Sequence, residues 1–407
     1  MSAASTPPLD RRASRVVTFV FLTVFLDLIG FGIVIPLFPF YVKTMGGSAR
    51  TVGFLLSCFS FTQLVATPFL GRLSDRVGRR KVILVSLAGN AVSMVLFALA
   101  TKITLLPLLF ASRILAGGTA GNLAACQAAI ADVTTGEART RGMGRLGAGI
   151  GLGLVLGPVL GSTLSRFGMW APPLGAAAMA ILDLGAAFVW MPETHPPRKG
   201  EGARVHVPRV SLATILAQRR FVIVLGLYFC TFLYMTTMQV ALALLTKERL
   251  GWTEKEVGSV FGGFGAIGFV IQGLLIGKIA RAFGQVRTVT VAALVSAAGL
   301  ATVALSHHAV PLLVGLFGLG VGVGLTQPLL STIASEVAGT ESRGAVLGFA
   351  QSAGGCARTV GPALSGFLFE GIGPGAPFAG GAIVAMCAVV LALSLRGEAA
   401  TASARIS

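Results

Sequence analysis

Apolar residues fall in long runs along this chain, each bounded by a short break rich in charge, proline or glycine. A membrane-crossing helix needs roughly 20 mostly apolar residues. By that measure the pattern predicts twelve spanning helices, at about 16–42, 51–70, 82–101, 104–131, 143–165, 169–191, 221–246, 256–277, 288–306, 309–334, 344–369 and 375–395. The longer runs must tilt or project past the bilayer. The first run is too long for a signal-peptide core and carries Asp27 in its middle, so it is expected to stay in the mature protein.

The breaks repeat at an offset close to half the length. Val52-Gly53 recurs as Val257-Gly258, and Gly71-x3-Asp75-x2-Gly78 as Gly277-x3-Arg281-x2-Gly284. Asp132 recurs as Glu336, and Gly157-Pro158 as Gly361-Pro362. The expected fold is therefore all-α and membrane-embedded, with two copies of a six-helix unit. The corresponding partition is a tail at 1–15, a first bundle at 16–191, a Pro-, Gly- and Arg/Lys-rich linker at 192–220, a second bundle at 221–396 and a tail at 397–407. Parallel six-helix halves that rock about a midplane site are the plan of alternating-access transporters.

Composition agrees with the pattern. Of 407 residues 54% are hydrophobic and only 12% charged, where a soluble domain carries about twice that charge. A net charge of +17 in a soluble protein would suggest a nucleic-acid partner, but here the basic residues sit in short loops between apolar runs. Twenty-three of the 32 lie on the side that holds both termini and seven on the other. That asymmetry predicts cytoplasmic termini and a multi-pass protein of the inner (plasma) membrane. The five cysteines lie inside apolar segments without metal-ligand spacing, so neither a disulfide framework nor a metal site is expected.

Two segments carry candidate mechanism. The loop from Gly71 to Lys81 holds Asp75, Arg76, Gly78, Arg79 and Arg80 between spans two and three. A basic loop alone would only orient the protein. Glycines spaced around an acid add a tight turn and an acceptor for a helix N-terminus. Asp132 ends span four on the same side and calls for a facing cation such as Arg79. The expectation is an Asp75/Arg79/Asp132 gate that holds one state closed, with an Arg281 to Glu336 contact in the second copy. In span five the run from Gly144 to Gly161 puts Gly149, Gly153, Gly157 and Gly161 four apart on one helix face without side chains, with Pro158 kinking the helix, suited to close helix contact and to sealing one route through the protein.

An ionisable group at mid-bilayer costs several kcal/mol unless paired or hydrated, which makes each one a functional candidate. Asp27, Arg113, Asp183 and Arg358 qualify. Asp27 lies midway along span one and is the expected proton carrier. Movement of Arg113 near it would switch its proton affinity, with Asp183 as a further coupling residue; the competing reading is a static ion pair locking spans one and four. Arg358, Asn122, Gln239 and Gln327 are candidates to line a polar cavity.

The residues resemble a known family. Gly71 to Lys81 is similar to the signature loop of the major facilitator superfamily, Arg113-x3-Gly117 resembles its arginine motif, and Gly144 to Gly161 resembles the antiporter motif of its drug/proton exporters. Asp27-x2-Gly30-x5-Pro36-x2-Pro39 resembles the first span of the twelve-helix drug exporters, tetracycline/proton antiporters among them. The resemblance implies the major facilitator fold and a latch made by Asp75, Arg79 and Asp132. Tetracycline exporters also carry acids in spans three and nine and a histidine in span eight. Here span three has Ser93, span nine has no acid and all four histidines lie outside the spans, which points to a different organic substrate.

The expected function is thus secondary active efflux of a largely apolar organic compound or drug in exchange for protons, by a monomer that uses no cofactor. The partners are the small-molecule substrate, protons and the bilayer, with no nucleic acid. No Gly-x4-Gly-Lys-Ser/Thr sequence for nucleotide phosphates is present, and no catalytic constellation appears in the spans, so enzymatic activity is not expected. The alternative keeps the fold and transports a metabolite such as a sugar, amino acid or siderophore.

Overall fold

The computed structural model of the chain describes residues 10–195, 218–337 and 339–404. The ends of both tails and residues 196–217 of the expected linker lie outside the described residues. Among the described residues eleven helices are long and apolar enough to cross a membrane. They are α1 (Arg11–Val34, continued by a 3-10 turn and Phe38–Thr44), α2 (Ala49–Val77), α3 (Arg79–Ile103), α4 (Leu106–Gly118 and Asn122–Val133), α5 (Gly136–Leu164), α6 (Ala171–Trp190), α7 (Arg219–Leu250), α8 (Glu254–Val270, a π turn, then Ile276–Phe283), α9 (Gln285–Leu305), α10 (Ala309–Val337) and α12 (Ala376–Ala404). The remaining long helix, α11 (Gly339–Gly371), packs against α2 and α7. Its glycines, Arg358 and Glu370 lower its apolarity, yet its 33 residues exceed the length a span needs. Among the described residues twelve long helices result, six on each side of residues 196–217.

Three helices depart from the continuous spans that the sequence predicts, α1 through its 3-10 turn at Ile35–Leu37 and two others more sharply. α4 breaks at Thr119–Gly121, in the glycine-rich run Gly117-Gly118-Thr119-Ala120-Gly121. The carbonyl freed at Ala120 accepts from Thr67 Oγ1 of α2 at 3.4 Å; irregular backbone at membrane depth needs such a partner inside the protein. In α8 the π turn at Ile271–Leu275 contains Gln272 and Gly273.

The two halves meet at one end only. We call the membrane face that carries both termini the terminal face and the opposite one distal. At the distal end one hydrophobic core runs through both halves, joining Leu37, Phe38, Leu55, Phe97 and Leu109 to Val240, Ala243 and Val257. Toward the terminal face the core splits. Val17, Val20, Ile83, Ile130 and their neighbours belong to the first half alone, and Leu227, Val289, Ile333 and Ala392 with theirs to the second.

Glycine makes the distal junction possible. In α2 a Cβ at Gly53 would stand 3.0 Å from Ala363 Cα of α11 and closer still to the Pro362 carbonyl. In α8 a Cβ at Gly258 would stand 3.0 Å from the Pro158 carbonyl of α5, and one at Gly265 would stand 2.9 Å from that of Leu154. Each half thus presents its Val-Gly pair to the Gly-Pro pair of the other, so the repeats noticed in sequence are the contact points. The distal rim is tied by Arg50 of α2, whose Nε pairs with Glu370 Oε2 of α11 at 2.9 Å and whose backbone N–H donates to Oε1 at 3.0 Å. On the terminal side no hydrophobic core is shared between the halves among the described residues, and we take the space between their two separate cores as the cleft. Exposed Phe69 and Leu73 of α2, and Leu274 and Phe283 of α8, mark the separated ends.

Candidate functional site

At mid-depth α1, α3, α4 and α6 bring the polar groups of the first half together. Asp27 of α1 is half-buried. Its Oδ1 accepts from Asn90 Nδ2 of α3 at 2.8 Å, and its Oδ2 from Asn122 Nδ2 at 3.5 Å. Asn122 is the first residue of α4 beyond the break, and Cys126 one turn on donates to its Oδ1. The break therefore aims an amide at the carboxylate that an unbroken helix would carry past it. One turn before Asp27 on the same face, Thr23 Oγ1 donates to Asp183 Oδ1 of α6 at 3.0 Å. Asp183 is only 2% exposed, and its Oδ2 has no donor among the described residues.

Arg113 does not join this group. It sits nine residues before Asn122, roughly 13 Å along a helix, in a box of aromatic faces. Its guanidinium carbon lies 4.7 Å from the Phe97 ring centre and 5.7 Å from that of Phe38. Nε donates to Ser112 Oγ at 3.3 Å and Nη2 points to the Met94 sulfur at 3.8 Å. At 1% exposure it has no carboxylate within ion-pair distance among the described residues. Neither a nearby switch nor a static pair with Asp27 exists in this state, because cation–π contact takes the place of a counter-ion. In the second half Arg358 is likewise stacked, 4.5 Å from the Phe232 ring centre. Gln239 of α7 and Gln327 of α10 are half-buried.

The loop between α2 and α3 forms a compact ionic cluster on the terminal face. Arg79, buried to 8% exposure, places Nη1 2.6 Å from Asp75 Oδ1 and from Ser74 Oγ, and Nε 3.1 Å from Asp132 Oδ2. All three helices concerned lie in the first half. Arg76 is exposed, and Arg80 reaches the Phe188 carbonyl of α6 at 2.5 Å. Gly71 has open space around it, whereas Gly78 turns the chain at φ +103°. In the second half Glu336 accepts from Gln285 Nε2 at 2.7 Å, and Arg281 Nε donates instead to the Gly277 carbonyl. The expected Arg281 to Glu336 contact is thus replaced by an amide one turn along, since Arg281 bonds within its own helix.

The glycines of α5 serve the first half. A Cβ at Gly149 would stand 3.1 Å from the Phe21 carbonyl of α1, one at Gly153 3.0 Å from that of Phe25, and one at Gly157 2.7 Å from Gly32 Cα. Gly161 abuts Ile33 in the same way, while Gly144 is exposed with open space around it. The seal between the halves is made by the next face of α5, with Leu154, Pro158, Val159 and Ser162 against α8. Sequence reasoning did not single out Thr23 or Asn90. Each bonds an acid more than sixty residues away, so the only local signal was a polar group in an apolar run.

Among the described residues, long helices in two like halves that share a core at one end, with a half-buried and a buried acid near a broken helix, follow the plan of a membrane transporter. The chain belongs to the Major Facilitator Superfamily, whose profile matches residues 20–355 and again 224–407. It is 28% identical over 357 residues to multidrug resistance protein 2 of Bacillus subtilis (strain 168), covering 85% of this chain and 87% of that protein. It is 30% identical over 363 residues to the class E tetracycline resistance protein of Escherichia coli, covering 88% of each. Among solved structures it is similar to the human organic anion transporter MFSD10 (TETRAN), at 26% identity and a TM-score of 0.69, over 95% of this chain and all of that one. The nucleoside transporter NupG shares its fold, with a TM-score of 0.73 at 12% identity, over 94% of this chain and 98% of that one.

Proposed function

We propose that this transporter exports a largely apolar organic compound from the cytoplasm in exchange for protons. The observation that carries the reading is Asp27, a half-buried carboxylate at mid-depth bonded by two amides and no cation, beside the break in α4. A carboxylate held by neutral donors can take up and release a proton without first breaking an ion pair, as a carrier must. Asp183 is the second coupling residue of the proposal. Arg113 contributes to coupling by leaving its aromatic box in another state. The similarity to multidrug and tetracycline resistance proteins supports export of a drug-like compound. The excess of basic residues on the terminal face supports cytoplasmic termini in the inner (plasma) membrane, and the cleft is then open to the cytoplasm. We further assign Asp75, Arg79 and Asp132 to the cytoplasmic latch, with Arg358, Gln239, Gln327 and Asn122 along the substrate path, and take the protein to act as a monomer.

The test uses purified protein in liposomes that enclose a pH-sensitive dye. A panel of lipophilic dyes and antibiotics is added under an imposed proton gradient, to wild type and to Asp27→Asn. Substrate-dependent proton flux that is absent in Asp27→Asn is the expected result. Substrate movement without proton flux in wild type overturns antiport, and flux that persists in Asp27→Asn overturns the assignment of the carrier. A second reading has one observation in its favour. Arg358, stacked on Phe232, suits a substrate with an anionic group, and the similar human protein is an organic anion transporter. Selective transport of carboxylated metabolites in the same assay would favour it.

A further inference from the structure

The first turn of α3 has a cap that comes from far along the chain. Gly78 is its N-cap residue and has no side chain to satisfy the helix's free N–H groups. Glu193, three residues past the end of α6, takes that role. Its Oε1 accepts from the backbone N–H of Arg79 at 2.9 Å and its Oε2 from that of Arg80 at 3.3 Å. The N–H of His195 also donates to Oε1 at 3.0 Å, which fixes the carboxylate from its own side. A carboxylate at a helix N-terminus gains both hydrogen bonds and a favourable helix dipole. The arrangement also accounts for Gly78 twice over. Its φ of +103° favours glycine, and a Cβ there would collide with the Glu193 carboxylate.

Arg79 therefore has its backbone held by Glu193 and its side chain held between Asp75 and Asp132. We propose that Glu193 is the positioning residue of the latch. It fixes the start of α3 so that the Arg79 guanidinium meets both acids, and it passes movement of the segment leaving α6, which leads to the second half, directly to Arg79. Four helices of the first half are thereby clamped at one point on the terminal face: α2 through Asp75, α3 through Arg79, α4 through Asp132 and α6 through Glu193.

The inference rests on the latch assignment above, but its readout needs neither proton nor substrate. Spin labels at Leu73→Cys and Phe283→Cys, exposed on opposite sides of the cleft mouth, report the ratio of open to closed terminal faces in full-length protein in nanodiscs. If the cap is made in this state alone, whose halves share a core only at the distal end, Glu193→Ala is expected to shift that ratio toward closed by up to roughly 5-fold, the size that loss of a helix cap carries. Its transport rate should fall with the substrate KM within about twofold of wild type, since a cap does not touch substrate. Glu193→Gln keeps the reach but only one acceptor oxygen, and its Nε2 would face one of the backbone N–H groups that the carboxylate now accepts from, so it should shift the ratio part of the way toward that of Glu193→Ala. Glu193→Asp keeps the charge but withdraws it by one methylene, and should behave as Glu193→Ala. The Asp and Gln variants carry the test if the alanine variant does not fold. An unchanged distance distribution in Glu193→Ala or Glu193→Asp overturns the proposal. Substrate movement without proton flux in wild type, alongside the expected shift in the Glu193 variants, would leave the positioning role standing and remove only the antiport reading.

Discussion

Arg113 and Asp183 are both almost fully buried, and each is accommodated by a different device. Arg113 relies on the faces of Phe38 and Phe97, and Asp183 on one hydroxyl. Replacing a buried charge by an apolar side chain is often neutral or stabilising. Arg113→Leu is therefore expected to keep its melting temperature within about 3 °C of wild type while losing proton coupling in the liposome assay. A large fall in melting temperature would show the box to be structural only. At the distal rim Glu370 is the group to follow with pH. Burial pushes its carboxyl up, but hydrogen bonds from Ser48 and the Arg50 backbone, with the Arg50 charge, outweigh this and hold it below its ordinary value of 4.5. A lowered value means that the pair contributes fully above that ordinary value and is lost as pH falls through the lower one. Label distances between Lys43 and Lys255 across the distal rim should thus be constant from about pH 5 to 8 in Asp27→Asn. A pH-dependent widening there would place a proton switch at the rim instead of at mid-depth. Among these residues the sequence allowed Arg79 to be set between Asp75 and Asp132, because Asp75 shares its loop and Asp132, though 53 residues away, ends a span on the same side and calls for a cation. It could not supply Asn90 or Glu193, whose partners lie 63 and 114 residues away and are chosen by helix packing.

Helices were the most legible objects, since each apolar run is a span and each charged break an end. Their interruptions were less so. The α4 break follows from a cluster of glycines that run-length reasoning absorbs into the span, although such clusters mark turns. Which face of α5 does what was also hidden. Spacing placed Gly149, Gly153, Gly157 and Gly161 on one side, and packing assigned that side to α1 and not to the other half. The two ends of the motif should consequently differ. Gly157→Leu inserts a side chain against Gly32 of α1 and should destabilise the protein by about 1–3 kcal/mol, read as a lower yield of folded protein and a lower melting temperature. Gly144→Ala, with open space at its Cβ, should be neutral within about 0.5 kcal/mol.

For the molecule as a whole, the internal repeat and the distal junction are one fact. The first-half Gly53 meets the second-half Pro362, and the second-half Gly258 meets the first-half Pro158. Bulk at either glycine should hold the halves apart at that end. Gly53→Leu and Gly258→Leu are each expected to lengthen the Lys43 to Lys255 distance and to reduce exchange. A variant that transports normally would show the junction to be dispensable. The junction also acts as a pivot for long levers. α2 has 29 residues, which at 1.5 Å per residue makes a rod of roughly 43 Å. A tilt of about 10° at its distal end sweeps the other end through about 7 Å on the same geometry, enough to admit or exclude an aromatic ring. One carbon atom added at the fulcrum therefore acts with several-fold mechanical advantage on the mouth of the cleft.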